Sequence, residues 1–239
     1  MELWIVRHAE PDYINDSITE KGEKEAKLLA ERLSKQEFAA VYCSPMGRAK
    51  KTASYTLERI KKEPIIFDWL HEFKGCVITK DGERTQCWDR LPSYWCSEDK
   101  YYSYDSWLDT DLMKTDNAKD EYEKVCRGID KLLSKHGYVH NGRTFDVVNP
   151  NNDKILLFCH FGVECAILSH IFGISPMPLW HNFCALPSTV TRIVTEEREE
   201  GVASFRTLCF GDYSHLYAGG EEPSFAARFW ELYTDDTRH

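Results

Sequence analysis

The sequence predicts an α/β protein: a three-layer sandwich, with a mostly parallel central sheet flanked by helices and an inserted cap segment. Three observations predict it. Short apolar runs alternate with amphipathic helical stretches, the pattern of βαβ units. KILLFCH is strongly apolar, as a central strand of such a sheet is. The alternation then breaks once, from Lys74 to about Asp120, where Trp, Tyr, Asp and Ser dominate. The 239 residues, 42% of them hydrophobic, suffice for one domain over 1–239 with a sizeable core, the cap lying roughly at 74–120.

ELWIV predicts the first strand. SITEKGEKEAKLLAERLSK predicts a helix that Ser17 or Thr19 caps. Glu20 supports its first turn, and Ala26, Leu29, Ala30 and Leu33 share one face. FAAVYCSP predicts a second strand, stopped by Pro45. GRAKKTASYTLERI predicts a helix with Ala49, Ala53, Leu57 and Ile60 turned inward, and PIIFDWL predicts a third strand. After the aromatic segment, DEYEKVCRGIDKLLSKHG returns as a helix. HGYVHNGRTFDVV predicts a hairpin around Asn141-Gly142. KILLFCH follows as a strand and VECAILSHIFG as a helix closing at Gly173. STVTRIVTEE and VASFRTLCF predict two strands joined by REEG, and FAARFWELY predicts a closing helix.

Net charge is −9, which argues against a duplex nucleic-acid partner, since that needs a basic footprint. A small anionic substrate stays open if a few arginines converge locally. The nine cysteines are odd in number and form no C-x-x-C pair, so they read as reduced, mostly buried thiols of a cytoplasmic protein. MELWIVRH has no charged region preceding an apolar one, and no apolar run approaches ~18 residues; neither a signal peptide nor a membrane partner is expected. The oligomeric state is not legible.

Several predicted strands end in polar residues. ELWIV ends in Arg7-His8, FAAVYCSP leads to Arg48, PIIFDWL runs into His71-Glu72, and KILLF ends in Cys159-His160. Strand ends of a parallel sheet gather at one rim, where ligands bind. The inventory suits phosphoryl transfer. His8 is placed to attack phosphorus, and Arg7 and Arg48 to clamp the phosphoryl oxygens as charge shifts. His160 is a further donor to those oxygens. Glu72 is the candidate to protonate the leaving alkoxide and then activate water. This scheme needs no metal and no cofactor, because the two arginines take the place of Mg²⁺.

The same residues carry a family resemblance. RHAE (7–10), ITEKGEKEA (18–26), SPMGRAKKTA (44–53), LHE (70–72) and CHFGV (159–163) stand in the order of the motifs of the histidine phosphatase superfamily, the phosphoglycerate mutase-like proteins. SPMGRAKKTA is the most specific, and GDYSHL is similar to a late segment of some bacterial members. The resemblance implies that His8 is the nucleophile, that Arg7, Arg48 and His160 complete the phosphate pocket, and that Glu72 is the proton donor.

The sequence also departs from the family pattern. Ala9 stands where Gly is usual, and Phe161 replaces the first Gly after the late His, narrowing the pocket there. The Asn usual after the nucleophile has no clear match, leaving Tyr13 or Asn15 for that space. Glu10 is either a second carboxylate beside the phosphate or a cap of its loop. The paired cap arginines of phosphoglycerate mutases are missing; Arg84 and Arg90 are candidate substitutes but are not adjacent.

The reading is therefore a phosphomonoesterase acting on a small phosphorylated metabolite. Its rivals are a phosphoglycerate-type mutase and a catalytically silent phospho-ligand binder. The stretch Glu98–Lys124 holds no Arg, which favours hydrolysis over holding a bisphosphate. The aromatic stretch Trp88–Trp107 reads as cap core before a substrate wall. Cys159 reads as packing, and the His136/His140 pair as part of a turn rather than a metal site.

Overall fold

A computed structural model describes residues 1–227, 229 and 231–235. In chain order the elements are β1 (Glu2–Arg7), β2 (Pro11–Asp12), β3 (Ser17–Ile18), α1 (Glu20–Leu33), β4 (Ala40–Cys43), α2 (Gly47–Ile60) and β5 (Ile65–Ile66). There follow β6 (Cys76–Ile78), β7 (Arg84–Gln86), α3 (Pro92–Trp95), α4 (Ala118–Lys135), β8 (Tyr138–Asn141), β9 (Thr144–Val147) and β10 (Lys154–Cys159). The chain continues through α5 (Phe161–Phe172), α6 (Pro176–Asn182), β11 (Val190–Glu199), β12 (Val202–Asp212) and α7 (Ser214–Ala218).

The central sheet has eight strands in the order β5-β4-β10-β1-β11-β12-β9-β8. It is mixed. The half that carries the predicted site, β5-β4-β10-β1, is parallel. From β11 onward every pairing is antiparallel, and β11–β12 and β8–β9 are hairpins. The two inner strands β1 and β10 have side chains buried on both faces. Leu3, Ile5, Ile155 and Leu157 join the core beneath α4 and α5, while Trp4, Val6, Leu156 and Phe158 join the core beneath α1 and α2. Burial on both faces is why these strands read as continuous apolar runs rather than alternating ones.

Helix α1 starts at Thr19, whose hydroxyl oxygen accepts from the Gly22 N–H at 3.0 Å. Its predicted face is buried in full, with Ala26, Leu29, Ala30 and Leu33 inaccessible. In α2, Ala49 and Ala53 are buried, and Leu57 and Ile60 lie half-buried against the same core. Helix α5 is buried nearly all round and ends at Gly173 in the left-handed conformation, as predicted.

Two predicted elements take another form. PIIFDWL is a strand only over Ile65–Ile66; Asp68–Leu70 turns as a 3-10 helix, because at the sheet edge nothing prolongs the ladder. FAARFWELY is not a closing helix in its described residues, which form bends, turns and an isolated bridge Leu232–Asp235; residues 228 and 230 lie outside the described residues. Ala227 sits at φ +56°, incompatible with a continuing right-handed helix. The short helices α3, α6 and α7 carry too few turns to show a period in sequence.

The segment between β5 and α4 holds only the β6–β7 hairpin, α3 and three 3-10 turns. Trp107 and Tyr101 of this segment are buried in the core, whereas Trp88 lines an open cleft. All nine cysteines are unpaired. Among the described residues no helix is long and apolar enough to cross a membrane.

Candidate active site

Strands β1 and β10 are adjacent and parallel, with Arg7 opposite Cys159, so the residues that leave their ends, His8 and His160, come side by side. Their rings lie 5.0 Å apart between centroids. Ser44, just beyond β4 on the other side of β10, bonds His160 Nε2 through its hydroxyl at 2.8 Å. Arg7, His8, Arg48 and His160 are all buried, none more than 6% exposed. Four polar groups held out of water need an electrostatic reason.

The loop after β1 is tied down. The His8 N–H donates to the Cys159 carbonyl, and the Ala9 N–H donates to Thr52 Oγ1 at 2.9 Å. Thr52 in turn donates to the Arg48 carbonyl, so the SPMGRAKKTA helix and the RHAE loop clasp each other. The Ala9 carbonyl lies 2.8 Å from His8 Nδ1, which makes Nδ1 the protonated nitrogen and leaves a lone pair on Nε2. Burial lowers the His8 pKa well below the usual histidine value. Arg7 adds to this, the Ala9 carbonyl opposes it, and Arg48 lowers it further, so the ring is neutral at pH 7. Burial likewise lowers His160, helped by His8, Arg48 and Arg7.

Arg7 donates from Nη1 to the carbonyls of Ala185 and Ala227, and its guanidinium lies 5.7 Å from the Phe161 ring centre. Arg48 donates from Nη1 to Asp16 Oδ1 at 2.9 Å, while Asp16 Oδ2 accepts the Gly47 N–H and so caps α2. Within this group of four residues, three buried atoms are left without a hydrogen-bond partner: Arg7 Nε, Arg48 Nε and His160 Nδ1. Two are obligate donors, and each unpartnered buried group costs about 1–3 kcal/mol. Such donors suit an anion with several acceptor oxygens.

Glu72 follows the 3-10 turn and stands in a cleft of about 580 Å³ with Arg48, Tyr13, Met46, Phe73 and Trp88. Its Oε1 accepts the Phe73 N–H at 2.8 Å and the Val163 N–H at 3.3 Å. Burial raises its pKa, against the pull of the Phe73 N–H and of Arg7 and Arg48, so its protonated form persists above the usual carboxylic range.

The remaining predicted residues divide. Tyr13 lies in the cleft with its ring 5.5 Å from the Arg48 guanidinium. Asn15 is exposed and bonded back to Asp12, so the structure does not bring it to the cleft. Glu10 also stays outside: its carboxylate accepts from Thr19 and Ser224, which is the loop-capping alternative. Phe161 is buried beneath Arg7 and packs against Trp88 and Phe229. Arg84 lines the cleft but is paired with Asp116 at 2.6 Å. Arg90 faces a separate recess, bonded to Thr85 and lying over Tyr94. Cys159 is fully buried, and burial holds its thiol well above the usual range, so it remains protonated.

Sequence reasoning missed Asp16, Ser44, Thr52 and Glu164. Ser44 and Thr52 sit inside the motif already quoted. Glu164 had its own signal, a lone acid within the apolar run VECAIL. It is buried with Oε1 unpartnered, and burial, opposed by Thr191 and Arg7, pushes its pKa up to about 7.

Comparison with known proteins agrees with this architecture. The adenosylcobalamin/alpha-ribazole phosphatase of Salmonella typhi is 25% identical over 192 residues, covering 76% of this chain and 84% of that protein. A phosphoserine phosphatase mutant from Entamoeba histolytica, solved with phosphoserine, superposes with a TM-score of 0.61 at 17% identity, covering 90% of this chain and 98% of its own. A mycobacterial glucosyl-3-phosphoglycerate phosphatase gives 0.56 at 14% identity, covering 88% and 98%. These structures share the fold. The model of the histidine phosphatase superfamily (branch 1) matches residues 3–207, and the chain belongs to that family and is a phosphatase.

Proposed function

We propose that the chain hydrolyses a small phosphomonoester through a phosphohistidine on His8, with Glu72 as general acid and base. The observation that carries this reading is the set of buried, unpartnered nitrogens on Arg7, Arg48 and His160 around a neutral His8. In the first step His8 Nε2 bonds to phosphorus, the ester P–O bond breaks, and the leaving oxygen takes a proton from Glu72. In the second, water gives a proton to the Glu72 carboxylate and attacks phosphorus. The P–N bond breaks, releasing inorganic phosphate and restoring both residues. Arg7, Arg48 and His160 stabilise the charge on the three equatorial oxygens in both steps.

We assign residues 74–120 as the cap over this site. Lys74, Arg84, Gln86 and Trp88 line the cleft from that segment, and Met46 and Phe73 complete an apolar wall for the leaving group. Hydrolysis is favoured over mutase chemistry because Arg84 is engaged with Asp116 and Arg90 lies in another recess, so among the described residues these two do not pair in the cleft to hold a second acidic group. The substrate class is a small phosphorylated metabolite, and the unpaired thiols suit a cytoplasmic setting.

The test is phosphate release from a panel including phosphoserine, 3-phosphoglycerate, α-ribazole phosphate and p-nitrophenyl phosphate. His8→Ala is expected to lose about 10³-fold or more in kcat, together with the acid-labile phosphoenzyme trapped from wild type. Glu72→Gln is expected to lose about 10²–10⁴-fold on alkyl phosphates but much less on p-nitrophenyl phosphate, whose leaving group needs no proton. Equal rates for wild type and His8→Ala overturn the nucleophile. Binding of phosphoesters without turnover by wild type leaves the silent-binder reading in its place.

A further inference from the structure

A second polar cluster lies at the far end of α5. His170 is ten residues along the chain from His160, about 15 Å at the helical rise of 1.5 Å per residue. There Asp130 of α4, His140 of β8 and His170 of α5 meet. His140 Nδ1 and His170 Nε2 lie 3.0 and 2.9 Å from the same oxygen, Asp130 Oδ1, and 3.0 Å from each other. His136, four residues before His140, takes no part: it ends α4 and bonds the Tyr42 hydroxyl at 2.8 Å.

Hydrogen bonds alone do not satisfy this triangle. The carboxylate oxygen only accepts. If both imidazoles donate to it, two N–H groups crowd each other along the 3.0 Å nitrogen–nitrogen edge. If one imidazole donates to the other, its nitrogen spends the proton there and confronts the carboxylate oxygen with no hydrogen between them. A cation equidistant from the three atoms relieves every edge at once. With sides of 2.9–3.0 Å, an ion about 2 Å from each corner stands roughly 1 Å above the plane, the distance zinc takes from His nitrogen and carboxylate oxygen.

The surroundings match what holds metal-binding histidines. Tyr104 Oη lies 3.0 Å from His170 Nδ1, fixing that ring through its other nitrogen. Phe145 stacks on His140 at 4.7 Å and 11°, locking the second ring. The Asp130 side chain is 35% exposed, so the cluster is reached from solvent.

We propose that Asp130, His140 and His170 form a binding site for one divalent transition-metal ion of the zinc class, with solvent completing the coordination. The ion joins α4, β8 and the end of α5, and its role is structural: it takes no part in phosphoryl transfer and does not depend on the function proposed above.

The test uses the full chain stripped with a chelator and titrated with Zn²⁺ against a chromophoric competitor. Wild type is expected to bind one equivalent, weakened about 100-fold in His140→Ala and Asp130→Asn and about tenfold in Tyr104→Phe. Zn²⁺ is expected to raise the melting temperature of wild type in a concentration-dependent way. Co²⁺ in place of Zn²⁺ is expected to show visible ligand-field bands. Should the substituted chains fail to fold, carbethoxylation of wild type mapped by mass spectrometry decides, since Zn²⁺ should protect His140 and His170. The proposal is overturned if wild type binds no Zn²⁺, if His140→Ala binds as tightly as wild type, if Zn²⁺ protects neither ring, or if His8→Ala loses the equivalent, which would put the ion between His8 and His160.

Discussion

Gly162 shows how narrowly Glu72 is held. A Cβ at that position would stand 2.8 Å from Glu72 Oε1 and 3.1 Å from the Phe73 Cβ. The carboxylate is the movable end, so Gly162→Ala displaces Glu72 while sparing the helix, where alanine is favoured over glycine by up to about 1 kcal/mol. The expected outcome is a kcat about 10–100-fold lower on alkyl phosphates with an unchanged urea midpoint, because sub-ångström misplacement of the proposed proton donor is costly. An unchanged kcat would show that Glu72 is not confined in this way. At this scale the residues of the proposed site were legible as types: Arg7, His8, Arg48 and His160 announce themselves at strand and helix ends. The protonation states of His8, His160 and Glu72 were not, because these depend first on burial, which no local sequence window contains.

At the scale of elements, Thr19 serves two elements at once. Its hydroxyl oxygen caps α1 through the Gly22 N–H, and its proton goes to Glu10 Oε1, which anchors the loop after β1. Thr19→Ala is expected to cost about 1–2 kcal/mol in urea unfolding, with Thr19→Ser recovering most of it. A loss no larger than that of an exposed-surface substitution would count against the dual role. Helices α1, α2, α4 and α5 were legible because each exceeds three turns or ends in a marked cap. PIIFDWL misled because two β-branched isoleucines continue into aromatics that pack as a 3-10 turn: Leu70 and Phe73 enter the core and carry Glu72 with them. FAARFWELY misled because its apolar spacing is helical, yet the Ala227 carbonyl is used by Arg7 and Phe229 packs on Phe161 and Trp88.

The whole molecule places acids and histidines with opposite effects on its pH stability. His215 of α7 is buried, with Nδ1 unpartnered and Nε2 3.1 Å from the Ser188 hydroxyl, and burial lowers its pKa from 6.5 to about 4. The unfolded chain therefore holds an extra proton between those values. The contribution of His215 is complete above pH 6.5 and is lost as pH falls through 4, a change on the order of 3 kcal/mol. His8 and His160 act in the same direction. Glu25 and Glu164 act the other way: raised to about 7, each contributes most below 4.5 and loses that contribution as pH rises through 7. His215→Gln is expected to flatten the fall in stability between pH 6.5 and 4, measured by urea unfolding at each pH. A slope identical to that of wild type would contradict the burial of a neutral ring.

The sequence by itself determined the α/β class, the order of the site-bearing strands and helices, and the residue types that meet at the rim. These follow from hydrophobic periodicity, capping and short motifs, all of which act over a few residues. Tertiary structure decided that the sheet turns antiparallel beyond β1, that Glu10 braces its loop against Thr19 and Ser224, and that Asp16 reaches Arg48. It also brought Asp130, His140 and His170 together from three elements. Such meetings are fixed by packing between segments far apart in the chain, and only folding brings their electrostatic fields to bear on one another.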